Sequence, residues 1–143
     1  METTSSLVLA IIQTQSSFRQ AIQRSLKRHG VDMTFEMFQV MACLWRKAGV
    51  NQQELAGKTF KDKASLTYLI NNLEKKGWVV RQEDTEDRRN KRIHLTEKGI
   101  ATCERVIPLL EDIYLQAARQ VNHTHLEKCL VYLQELNTAL KNV

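Results

Sequence analysis

Residues 51–77, "NQQELAGKTFKDKASLTYLINNLEKKG", carry two helical patterns separated by only a few residues. The first opens at Asn51, a good N-cap, with Glu54 three residues on, where its carboxylate can reach back in the manner of a capping box. Its only strongly apolar position is Leu55, so this short helix must lean on neighbours. After Thr59-Phe60-Lys61 the chain re-enters helix at Asp62 and stops at Gly77. At 100° per residue Leu66, Leu69, Ile70 and Leu73 form one stripe, with Ala64, Tyr68, Asn71 and Lys75 opposite. A short helix and a longer amphipathic one joined by a tight turn is the helix-turn-helix pattern, whose second helix enters the major groove of DNA.

Downstream, "WVVRQ" (78–82) and "KRIHLT" (91–96) have the β-branched or alternating character of strands, joined by a polar loop. A hairpin placed there makes the helix-turn-helix a winged helix. Upstream, "MTFEMFQVMACLWRKAG" (33–49) predicts a helix capped by Thr34 and stopped at Gly49. Residues 6–29 place Leu7, Ile11, Phe18, Ile22 and Leu26 near helical spacing and end at Gly30. Thr96-Glu97 opens a long helix over about 97–120 containing Pro108, the only proline, which is expected to kink it. Thr124 and Glu127 read as a capping box for a last helix with Leu126, Leu130, Leu133, Leu136 and Leu140 on one side. The expected fold is mainly α with a small β-hairpin wing, most simply one domain in 143 residues.

The longest apolar run, Leu7–Ile12, is far shorter than the ~20 residues of a membrane span. Residues 1–6 lack the basic start of a secretory signal, so the chain reads as cytoplasmic, with no membrane partner. Cys43, Cys103 and Cys129 stand far apart without a Cys-x-x-Cys pair, which argues against a disulfide framework or a zinc knuckle. The net charge of +5 is unevenly placed: residues 58–92 hold ten Lys/Arg against six Asp/Glu. A basic segment in an otherwise near-neutral chain is the footprint of a polyanion partner.

On the 62–76 helix, Ser65, Thr67, Asn71 and Asn72 can hydrogen-bond phosphates or base edges. Tyr68 can do so or pack on sugars and thymine methyls, and Ala64 lets the backbone approach closely. Lys61 and Lys63 add charge at an end where free amides and the helix dipole favour phosphate. In the loop, Arg88, Arg89 and Lys91 are the expected wing contacts, with Arg92 beside them. Asp87 sits two residues before Arg89, where its carboxylate is expected to hold the guanidinium and aim it into a minor groove.

The run "LINNLEKKGWVVRQEDTEDRRNKRIHLTEKG" (69–99) resembles the core of the MarR family of bacterial transcription regulators. The shared elements are Leu73-Glu74-Lys75-Lys76-Gly77, Asp87-Arg88-Arg89 and Leu95-Thr96-Glu97-Lys98-Gly99. The resemblance implies a homodimer of winged helices on double-stranded DNA, with about 34–96 as the DNA-binding core and about 6–29 and 97–141 as dimerisation helices. It further implies a pseudo-palindromic operator, with repression the commoner outcome, and makes Arg89 the wing arginine and Asp87 its orienting partner. Where many relatives carry an arginine this chain has Tyr68, so the preferred base sequence is expected to differ. Apolar faces on three terminal helices favour a symmetric interface independently of the resemblance.

Release of DNA by a small amphipathic or phenolic effector is another habit of the family, and Met33, Met37, Met41, Trp45 and Tyr114 are the candidate pocket, against the plainer reading of a Met/aromatic core. No cysteine precedes Cys43, so the peroxide-sensing arrangement of some relatives has no matching residue. His123 and His125 form a short pair, with His29 and His94 elsewhere and no third ligand in view, so no metal and no cofactor is expected. There is no phosphate-binding loop, nucleophile elbow or His-Glu-x-x-His helix, which excludes the common enzyme classes. The competing reading is a winged-helix protein-interaction module or antirepressor that does not bind DNA itself.

Overall fold

A computed structural model describes residues 1–143. The element order is α1 (Glu2–Arg28), α2 (Phe35–Arg46), β1 (Val50–Asn51), α3 (Gln52–Thr59), α4 (Lys63–Lys75), β2 (Val79–Glu83), β3 (Lys91–Leu95), α5 (Glu97–Ala118) and α6 (His123–Lys141). The chain divides into two compact units, Met1–Leu109 and Leu110–Val143.

In the first unit α2 supplies the centre of the core, burying Phe35, Met37, Phe38, Val40, Met41 and Leu44. Thr34 caps it as expected, its hydroxyl accepting the Met37 amide at 3.2 Å. The apolar stripe of α4 (Leu66, Leu69, Ile70 and Leu73) is buried, as are Leu55 of α3 and Ile93 of β3. Of α1 only Ile22 and Leu26 are buried. Its Phe18 ring meets Phe35 edge-on at 5.8 Å, and Arg19 lies over the same Phe35 ring and pairs with Glu36. The first half of α1 leaves Leu7, Leu9, Ile11 and Ile12 exposed.

The sheet has three antiparallel strands in the order β1-β3-β2, one more than the sequence suggested. Val50 pairs with Ile93 and Asn51 with Arg92, while β2 and β3 align Val79 with Leu95 through Glu83 with Lys91. A two-residue strand is too short to show a period, so β1 has no signature in the sequence. It matters nonetheless: Asn51 is both its last residue and the N-cap of α3, accepting the Glu54 amide at 2.7 Å. The wing is thereby stitched to the first helix of the helix-turn-helix. Glu54 does not reach back as a capping box; its carboxylate is drawn to Lys47 at 2.8 Å and Lys58 at 3.5 Å.

The joint between wing and α5 explains the Leu-Thr-x-x-Gly motif physically. The Thr96 amide donates to the Trp78 carbonyl at 3.0 Å and its hydroxyl donates to the Gly77 carbonyl. The same hydroxyl oxygen caps α5 by accepting the Gly99 amide at 3.0 Å. Gly99 passes so close to β2 that an added Cβ would stand 1.9 Å from the Trp78 carbonyl oxygen. Gly77 ends α4 in the left-handed region at φ 73°, where a side chain is disfavoured.

α5 runs through Pro108 as a single helix. In the second unit α6 begins at His123 rather than at Thr124, because Asn122 is the cap, its side chain accepting the His125 amide at 3.2 Å. Asparagine caps at least as well as threonine, and here it stands two residues earlier. No residue of α6 is buried, and Leu126, Leu130, Leu133 and Leu140 are all exposed. No helix is long and apolar enough to cross a membrane.

Candidate nucleic-acid interface

The outward face of α4 starts from its cap. Asp62 accepts the Ser65 amide at 2.7 Å and the Ser65 hydroxyl at 2.9 Å. These bonds, the amide first, hold its carboxyl below the usual carboxylate range. Ser65 is therefore spent on the cap. Thr67 is spent as well: its hydroxyl donates to the Lys63 carbonyl at 2.8 Å and accepts from Gln52 at 2.6 Å, tying α4 to α3. Asn71 is exposed, and its side-chain carbonyl oxygen accepts from Arg81 at 2.9 Å. Lys63, Ala64 and Tyr68 are exposed, Tyr68 at 67%, while Asn72 is half-buried. Lys61 is not a free cation at the helix mouth, because its ammonium donates to Gln39 of α2 at 2.9 Å.

The wing tip is braced by its carboxylates in a way that differs from the expected one. Asp87 accepts the backbone amide of Arg89 at 3.0 Å, not its guanidinium. At a separation of two residues an aspartate is in reach of the amide in an Asx-turn, and the local bond wins over an exposed ion pair. Asp84 makes the matching bond to the Glu86 amide at 3.1 Å, and the loop closes through Asp84 N–H to Asn90 carbonyl and Asn90 N–H to Asp87 carbonyl. Asp87 thus fixes where the Arg89 backbone stands and leaves the guanidinium unpaired.

These contacts sort the basic residues into two groups. Arg81 pairs with Glu74 at 2.8 Å, Arg92 with Asp84 at 3.4 Å and the Gly49 carbonyl at 2.7 Å, and Lys76 with Asp32 at 2.8 Å. Those three hold the fold. Lys63, Arg88, Arg89 and Lys91 have no carboxylate within pairing distance. Three of them, Lys63, Arg89 and Lys91, line one cleft of about 490 Å³ together with Gln52, Gln53, Ala56 and Asn90. The N-terminus of α4 and the wing tip thus face a common cationic recess. Gln53 and Ala56, on α3, were not singled out in the sequence, since nothing in their spacing says that the wing folds back over them.

On its other flank α4 borders a second cleft of about 840 Å³, whose walls include Phe60, Lys61, Ala64, Tyr68 and Asn72. Of the residues expected to form an effector pocket, Met37 lines this cleft. Met33 and Met41 are core, Met41 without any exposed surface, and Trp45 is 40% exposed. Tyr114 belongs to the second unit and is half-exposed.

A capped helix-turn-helix with a three-stranded sheet and a cationic wing defines the winged helix-turn-helix class. Residues 33–91 match the model of the MarR family. It is 41% identical over 75 residues to the HTH-type transcriptional regulator SarZ of Staphylococcus haemolyticus, covering 52% of this chain and 50% of the relative. It is 33% identical over 95 residues to the HTH-type transcriptional regulator TtmR of Methylorubrum extorquens, covering 66% and 48%. The chain spans about half the length of the curated relatives it matches. Its fold is that of a cysteine-to-serine mutant of MarR from E. coli complexed with operator DNA, with a TM-score of 0.82 at 23% identity over 92% of this chain and 93% of the other. It is also that of reduced AbfR bound to DNA, with a TM-score of 0.78 at 22% identity over 99% and 94%.

Proposed function

We propose that this protein is a sequence-specific DNA-binding transcription regulator that acts as a homodimer on a pseudo-palindromic site, by default as a repressor. The observation that carries the reading is the convergence of Lys63, Arg89 and Lys91, none of them paired with a carboxylate, on one cleft beside an exposed recognition helix. A phosphate backbone between α4 and the wing satisfies Lys63 and Lys91, with α4 in the major groove and Arg89 reaching the flanking minor groove. The DNA bound by two proteins of the same fold supports the same mode of use.

The dimer rests on α6. Five leucines at helical spacing with none buried form a face that needs a cover, and a second copy of the same chain is the economical one. The exposed apolar start of α1 offers a further surface of the same kind. A protein-docking module would present apolar anchors where this wing presents unpaired cations.

Selection of bound duplexes from a random pool tests the reading. An enriched inverted repeat is expected, and Arg89→Ala should weaken binding to it by about 1–3 kcal/mol, the usual worth of one specific interaction with DNA. Four unpaired cations per protomer, eight per dimer, predict that log affinity falls with log salt at a slope of about −7. No enriched repeat, or binding indifferent to salt, overturns the proposal.

A further inference from the structure

Phe60 stands apart from its neighbours. It is the only non-glycine residue with positive φ, at φ 54° and ψ 40°, and 95% of its surface is exposed. The left-handed conformation is imposed by the turn, because the Phe60 and Lys61 amides both return to the Ala56 carbonyl to close α3. Glycine is the usual residue at such a helix end, and a bulky side chain there is strained. The ring covers no core, so the fold gains nothing in exchange. What it contributes lies outside the chain.

Its placement says where. Phe60 precedes the Asp62 cap of α4 by two residues and shares a cleft wall with Ala64 and Tyr68, so it belongs to the outward surface of the recognition helix. The turn is anchored on the far side by Lys61 to Gln39 and by Asp62 to Ser65. The ring is therefore presented from a fixed backbone, and little freedom remains to be given up on binding.

We infer that Phe60 is a further specificity-determining residue, packing on the C5-methyl of a thymine at the major-groove edge beside the start of α4. The inference rests on the DNA reading proposed for the same surface. Residues at the N-terminal end of a recognition helix meet base edges, and the thymine methyl is the apolar feature among them. A phenyl ring has no hydrogen bond to offer, so burying that methyl is the gain open to it in the groove.

The test uses the selected duplex with each thymine replaced in turn by deoxyuridine, which removes the methyl alone. With wild-type protein, one position per half-site should bind about fourfold more weakly, the equivalent of ~0.8 kcal/mol for one buried methyl. Phe60→Gly should bind the unmodified duplex more weakly and be indifferent to deoxyuridine at that position. Its urea midpoint should equal or exceed that of wild type, because glycine relieves the left-handed strain. Unchanged affinity of Phe60→Gly overturns the inference, as does equal deoxyuridine sensitivity in both proteins. A lowered midpoint would make the ring a structural prop, and an altered sedimentation coefficient would assign it to a contact between copies; either overturns the inference. If wild-type protein binds no duplex, the DNA reading itself falls.

Discussion

Gly99→Ala should destabilise the first unit far more than its chemistry suggests. The added Cβ would stand 1.9 Å from the Trp78 carbonyl oxygen and 3.2 Å from the Trp78 Cα. Ordinary van der Waals contact begins near 3.4 Å, so the backbones must part by roughly 1.5 Å, the difference between 3.4 and 1.9. The obstacle is main chain and cannot rotate away. Parting them breaks the Thr96 bonds to Trp78 and Gly77, each worth about 1 kcal/mol net. Overpacking adds about 1–3 kcal/mol, and alanine returns about 1 kcal/mol of helix propensity. The net expectation is a loss of about 2–4 kcal/mol by these principles. The matched control is Gly57→Ala in α3, where nothing lies within 4 Å of the new methyl and the same propensity term should stabilise by up to about 1 kcal/mol. Urea unfolding followed by circular dichroism, at one fixed protomer concentration, compares the two. Gly99→Ala as stable as wild type would refute the close approach of α5 to β2.

Substitutions at two further positions probe the site. Asp87→Asn keeps an oxygen for the Arg89 amide and should bind DNA close to wild type, whereas Asp87→Ala loosens the tip and should bind more weakly; equal losses would return the role to the charge. The folded-state carboxyl of Asp62 lies below its ordinary value, so the ionised form stabilises the cap. The stability margin of wild type over Asp62→Ala should be full above the ordinary carboxylate range and shrink as pH falls through the lowered folded value. Urea midpoints at stepped pH measure it, and a margin that grows on acidification contradicts the cap.

The helix-turn-helix was legible because its information is local. Asn51 caps the helix it was expected to cap, the second helix opens at Asp62 as read, and the stripe from Leu66 to Leu73 is buried as its spacing required. What escaped depends on partners distant in sequence or on turn geometry. Arg92 looks like one more wing cation until the fold brings it to Gly49 and Asp84. Thr67 looks like a base reader until Gln52 claims it. Asp87 was placed with the right neighbour but on the wrong atom, because only the loop's closed form decides between amide and guanidinium. Phe60 was invisible as a feature, since propensity argues against the backbone conformation it adopts.

Chemical footprinting on the selected duplex tests the central claim most directly. Guanine N7 protection is expected in two major-groove patches one helical turn apart, about 34–36 Å, with minor-groove protection flanking them. Arg89→Ala should erase the flanking minor-groove protection and leave the central patches in place. Protection confined to one patch, or minor-groove protection that survives Arg89→Ala, would contradict a dimer that reads DNA with α4 and its wing.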